Sequence, residues 1–128
     1  MAGRVLLDTN VVIALFSKQE RTPQGFPESE LFVSSTVLGE LYFGALKSAQ
    51  PAPNVAGIEQ FAASVRLLSC DPETAKYYGE IRARLRSRGR PIPDNDIWIA
   101  AVALQYGLTL ATRDAHFKEV EGLLVESW

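Results

Sequence analysis

Asp8, Glu40, Asp96 and Asp114 lie in four separate segments of a 128-residue chain. If the fold brought them together they would repel. Two unit charges 4 Å apart interact by about 4 kcal/mol at an effective dielectric of about 20. A protein keeps such a group only where protons or cations neutralise it. Oxygen donors without thiolate or imidazole select hard ions, which here means Mg²⁺ or Mn²⁺. An ion of that kind activates water and stabilises charge on a phosphate. The chemistry within reach is phosphodiester hydrolysis without a histidine base.

Each acid also has a purely structural reading. Asp8 can serve as a helix cap and Glu40 as a solvated helix residue. Asp94 and Asp96 both suit a helix N-terminus, through capping and the helix dipole, and Asp114 suits a turn. The elements around them decide between the readings. Arg4-Val5-Leu6-Leu7 is an apolar run of the kind that forms a buried parallel strand, and it stops at Asp8-Thr9-Asn10. A short helix is expected from Val11 to Phe16, then a loop from Lys18 to Ser29. Leu31 to Val33 reads as a second strand. Ser34 to Thr36 offers a cap, and a helix is expected from Val37 to Lys47 with Leu38, Leu41 and Ala45 on its apolar stripe.

Pro51 and Pro53 break the chain, a helix follows over Ala56 to Ala63, and Val65 to Leu68 is a third strand. Asp71-Pro72 starts a helix that runs to about Ser87. Asp94 or Asn95 caps another, which Gly107 ends after Tyr106. Leu108 to Thr112 and Leu123 to Glu126 are the last strands, with a turn between them. Alternating strands and helices predict an α/β domain with a parallel sheet and helices on both faces. Sites in such sheets lie at the carboxyl ends of the strands, where these acids fall.

Composition narrows the classes. The chain is 47% hydrophobic and 22% charged, with a formal net charge of −2. That is globular composition in a single domain, residues 1–128, and not a strongly basic nucleic-acid binder. One cysteine, Cys70, and one histidine, His116, exclude an internal disulfide and leave little for a zinc finger or a Cys–His nucleophile. His116 is expected as a surface or turn residue. No apolar run approaches the roughly 18 residues of a membrane span, and the opening seven residues are too few for a secretory signal. The expectation is a soluble cytoplasmic protein with no membrane contact.

The four acid-bearing segments resemble the motifs of PIN-domain ribonucleases. Leu6-Leu7-Asp8-Thr9-Asn10 is similar to the opening motif, and Glu40 within Ser35 to Leu41 to the second acid. Asp96-Ile97-Trp98-Ile99-Ala100-Ala101 resembles D-x-x-I-A-A, and Leu110-Ala111-Thr112-Arg113-Asp114 the closing T-x-D. The resemblance spans essentially the whole chain, and its size is similar to the VapC-type toxins of toxin–antitoxin pairs. It implies a three-layer α/β/α fold with a five-stranded parallel sheet, and a Mg²⁺- or Mn²⁺-dependent endoribonuclease. It also implies a homodimer or higher assembly and a cognate VapB-like antitoxin. Carried over by position, Asp8, Glu40, Asp96 and Asp114 form the acidic quartet. Asp8 and Asp96 are direct ligands of a first ion. Glu40 acts through the metal, its water or a second ion, and Asp114 is a further ligand. Thr9, Asn10 and Thr112 support these carboxylates. The motif favours Asp96 over Asp94, which is left as the cap.

Arg82, Arg84, Arg86, Arg88 and Arg90 make a basic run. Arg82 and Arg86, at i and i+4, share a helix face, either solvated or set against an RNA backbone. An acidic stretch of an antitoxin is a third partner for them. Leu41-Tyr42-Phe43 could help receive an antitoxin helix in a groove. Two rival functions use the same residues. A non-catalytic PIN-like module would bind RNA or protein without cleaving. A receiver-like phosphoacceptor domain also uses acids at strand ends, but usually with paired acids after its first strand, where this chain has Asp8 alone.

Overall fold

The computed structural model describes residues 3–17 and 30–128. The expected loop from Lys18 to Ser29 lies outside the described residues. Five strands form one parallel sheet: β1 (Arg4–Leu7), β2 (Glu30–Ser34), β3 (Arg66–Leu68), β4 (Thr109–Ala111) and β5 (Val125–Glu126). Their order across the sheet is β3-β2-β1-β4-β5. Each neighbouring pair is parallel, with Leu6 opposite Phe32 on one side and Leu110 on the other. The chain therefore winds outward from β1 in one direction, then crosses back to β4 and winds in the other. The reversal lies between β1 and β4, where an open sheet of this kind leaves a crevice at its carboxyl ends.

The helices are α1 (Thr9–Ser17), α2 (Ser35–Leu46), α3 (Pro51–Ser64), α4 (Pro72–Ser87) and α5 (Asp94–Tyr106), and a short 3-10 helix covers Ala115–Glu119. Right-handed crossovers put α1, α2 and α3 on one face and α4 and α5 on the other. Within those layers α2 packs on α3, and α4 on α5. Leu6, Leu7, Val33 and Leu110 fill the sheet core. Burying each such side chain is worth about 1.5–3 kcal/mol. α5 is buried from Ile99 to Ala103, where alanines let it lie close against its neighbours. No helix among the described residues is long and apolar enough to cross a membrane.

Local signals explain most boundaries. Asp71 accepts from the Thr74 amide while the Thr74 hydroxyl accepts from the Asp71 amide, a reciprocal cap at the start of α4. Ser34 caps α2 through the Val37 amide. Gly107, at φ 65°, ends α5 in the left-handed region. Three expectations need correction. Pro51 and Pro53 do not break the chain but open α3, because the first turn of a helix needs no backbone donor. α1 begins at Thr9, before the expected Val11. Asp94 is not the cap of α5. Pro93 holds that position without a side-chain bond, and Asp94 is already helical.

Candidate active site

Asp8 stands one residue beyond β1. Its amide donates to the Ala111 carbonyl at 3.0 Å, so the β1–β4 pairing carries through to the acid itself. Only 3% of the residue is exposed. The Thr9 amide donates to Asp8 Oδ1 at 2.8 Å, and the Thr112 hydroxyl donates to Oδ2 at 2.7 Å. Thr112, itself buried, also accepts the Asp114 amide at 3.1 Å. One hydroxyl thus links two of the acids. Asn10 makes a second link, donating to Asp114 Oδ2 at 3.2 Å and accepting the Arg113 amide at 3.2 Å. Thr9 donates its hydroxyl to Glu40 Oε1 at 2.7 Å and joins α1 to α2.

Asp96 comes from the first turn of α5, where the helix dipole favours an anion. Its Oδ2 lies 2.6 Å from His116 Nε2. One donor atom each from Asp96, Asp114 and His116 lie within 4.8 Å of one another. The acidities follow from this arrangement. The Asp8 carboxyl is raised above its ordinary value of 3.8, first by burial and then by the negative charges of Asp96 and Asp114. Hydrogen bonds from Thr112 and Thr9 oppose the rise without cancelling it. Asp96 is also raised, first by burial, with His116 opposing and Asp114 and Glu40 adding to the rise. Two desolvated carboxyls, each feeling its acidic neighbours, are a site short of positive charge. The donor set of carboxylate oxygens and one imidazole suits a divalent cation.

The four acids named from the sequence lie within charge range of one another at one rim, with Asp96 and Asp114 in the close group and Asp8 and Glu40 beyond it. Thr9, Asn10 and Thr112 bond to three of them. Asp94 goes elsewhere. Its carboxylate takes the Tyr78 hydroxyl and lies 3.4 Å from Arg82, on the α4 side. The separation follows from helix geometry, since two residues are about 200° apart around the axis. Arg82 also donates to the Tyr78 hydroxyl, and it and Arg86 are exposed and line a shallow cleft with Ile92 and Asp94. His116 is the residue the sequence pattern misplaces. It is no simple surface or turn residue, because the 3-10 helix turns its ring onto Asp96. The available signal is its place two residues after Asp114, in Asp114-Ala115-His116.

A protein-family model described as PIN domain matches residues 5–123. The chain belongs to the PIN-domain family. Relatives of this PIN domain extend over nearly its full length. It is 37% identical to ribonuclease VapC2 of Haemophilus influenzae, with 98% of each chain covered. It is 34% identical to the tRNA(fMet)-specific endonuclease VapC of Shigella flexneri, again with 98% of each covered. Among solved structures, it superposes on a DNA-bound VapBC complex from Salmonella typhimurium with a TM-score of 0.88 at 32% identity, covering 100% of this chain and 99% of that one. The PIN assignment agrees with the sheet order β3-β2-β1-β4-β5. It sets aside the receiver-like alternative, whose sheet runs 2-1-3-4-5.

Proposed function

We propose that this PIN domain is a divalent-metal-dependent endoribonuclease, the toxic partner in a VapBC-type toxin–antitoxin pair, acting in the cytoplasm. The observation that carries the reading is the convergence of Asp8, Glu40, Asp96 and Asp114 beside the β1–β4 crevice, with Asp8 and Asp96 both raised by burial and by acidic neighbours. The ribonuclease and endonuclease names of relatives that match along nearly the whole chain support it.

Asp8 and Asp96 are the proposed primary ligands of Mg²⁺ or Mn²⁺, with Asp114 beside them. When bound, such an ion supplies Lewis acidity toward a phosphate and lowers the pKa of attacking water. The protein's own groups do the positioning. Thr112 and the Thr9 amide fix both oxygens of Asp8. Asn10 holds Asp114, and Thr9 holds Glu40 within charge range of Asp96. Glu40 is the proposed group to act through the metal, its water or a second ion. Arg82 and Arg86 are the proposed contacts for the RNA backbone.

The partner is a VapB-like antitoxin, as in the VapBC complexes among the structural neighbours. A groove of about 620 Å³ between α1, α2 and α3, lined by Ile13, Phe16, Leu41 and Phe61, offers the apolar trough an amphipathic helix fills. Leu41 lines it. Phe43 does not, standing 65% exposed under the Lys47 ammonium. The deciding experiment incubates purified protein with a mixed RNA pool, with Mn²⁺ or with EDTA, beside Asp8→Asn. Metal-dependent cleavage by the wild type alone is expected. Intact RNA in every lane would favour the non-catalytic binding module, and cleavage only of a parallel DNA pool would change the substrate. Elution volume and co-purification with the product of an adjacent small reading frame test the homodimer and the antitoxin.

A further inference from the structure

His116 is the chain's only histidine, and the acidic quartet does not include it. Phe117, fully buried, anchors the 3-10 helix in the core, and the His116 ring lies obliquely on it with centroids 4.9 Å apart. That anchor holds the imidazole at the acidic rim. Nε2 is 2.6 Å from Asp96 Oδ2, and one nitrogen of the ring shares a 4.8 Å span with a carboxylate oxygen each of Asp96 and Asp114. Ligands on opposite sides of an ion with bonds of about 2.1 Å lie about 4.2 Å apart. The three donors thus span little more than one coordination sphere.

Two groups at this site bond carboxylates and differ in their exposure. Thr112 stands behind Asp8, 2% exposed, as a buttress. The His116 side chain is 34% exposed, so solvent and dissolved ions reach its ring. That exposure leaves the imidazole open to an ion in a way that the enclosed Thr112 hydroxyl is not. A neutral nitrogen donor also adds no negative charge to carboxylates that already repel one another. We infer that His116 is a direct nitrogen ligand of the divalent cation, together with Asp96 and Asp114, so that the site is a mixed oxygen–nitrogen centre and not an all-carboxylate one. The inference rests on the metal-dependent reading above. Its consequence is selectivity: an imidazole tilts a site away from Mg²⁺ toward Mn²⁺ and the later first-row ions.

The test uses full-length protein without an added histidine tag, loaded with Mn²⁺ and read by pulsed electron paramagnetic resonance. Because there is one histidine, any imidazole nitrogen coupling belongs to His116. Bound Mn²⁺ should show ¹⁴N modulation that changes to the ¹⁵N pattern when histidine alone is labelled, and that disappears in His116→Gln. The same variant should bind Mn²⁺ about tenfold or more weakly, the scale expected when a supporting group at a metal site is removed, with a smaller effect on Mg²⁺. Bound Mn²⁺ without nitrogen coupling in the wild type overturns the ligand role alone, leaving His116 as a group that only orients Asp96. Failure of Mn²⁺ to bind overturns the metal reading and this inference with it. The isotope arm needs no substitution, so it holds even where a variant folds poorly.

Discussion

Asp8 and Asp71 occupy matching places. Each follows a strand, each opens a helix, and each carboxylate accepts a backbone amide and a threonine hydroxyl. Their acidities nevertheless move in opposite directions. Asp71 is exposed, and the Thr74 amide and Gln105 hold its carboxyl below the ordinary 3.8. Asp8 is buried and faces Asp96 and Asp114, and its carboxyl rises despite its donors. The donor types are the same at both carboxylates, although the threonine is three residues away at Asp71 and 104 away at Asp8. What separates a cap from a candidate ligand is the desolvation and the company of other acids, and both are tertiary properties.

Substituting the pair should break them apart most visibly in activity. Asp8→Asn is expected to lower metal-dependent RNA cleavage by more than the roughly 100-fold that outer-shell changes cost, with the fold intact by circular dichroism. Asp71→Asn should leave cleavage near wild type. Equal losses would show that the two acids share a structural role. Thr112→Val comes next. It removes the hydroxyl that serves both Asp8 and the Asp114 amide, and an activity loss of about 10–100-fold is expected. An unchanged rate would mean that the carboxylates need no such support.

Thermal melts sharpen the same contrast. Mg²⁺ or Mn²⁺ should stabilise the wild type by about 2.7 kcal/mol at a hundred times Kd, and should do so equally in Asp71→Asn but much less in Asp8→Asn. A metal-independent melting curve for wild type would remove the neutralisation argument. Acid titration of the metal-free protein gives opposite signs. Since the folded Asp8 carboxyl is raised, its ionisation destabilises the fold as pH climbs through the folded value, so Asp8→Asn should be more stable than wild type at neutral pH. That gain should fade on acidification toward 3.8. Asp71 stabilises above 3.8, so Asp71→Asn should be less stable at neutral pH, and its deficit should fade as pH falls through the lowered folded value. Matching signs in the two titrations would contradict the contrast. The smallest effect is expected at the arginines. Replacing Arg82 and Arg86 with Gln should flatten the log–log salt dependence of RNA binding by about 0.7 for each phosphate that no longer pairs with an arginine, and an unaltered slope would return them to solvent.

Much of the scaffold could be read from local signals. Apolar runs marked the strands, Asp71-Pro72 and Ser34 marked helix starts, and Gly107 marked an end. The acids could be placed on strand ends and helix starts for the same reason. Pro51 misled because a proline in a first turn looks, in sequence, like a proline in a break. Asp94 misled because two acids at one helix start are locally equivalent, and only the packing of α4 gives one of them to Tyr78 and Arg82. His116 was hidden because its partner is 20 positions away on α5, and no periodicity reports a contact across that span.

Thr112 meets Asp8, and Asp114 meets Asn10, across a separation of 104 positions in each case. During synthesis the opening acid leaves the ribosome long before the groups that orient it and share its charge. A nascent chain therefore carries no assembled centre while it is threaded among the cell's most abundant RNA. On the proposed metal-binding reading, cleavage waits until translation has passed Asp114.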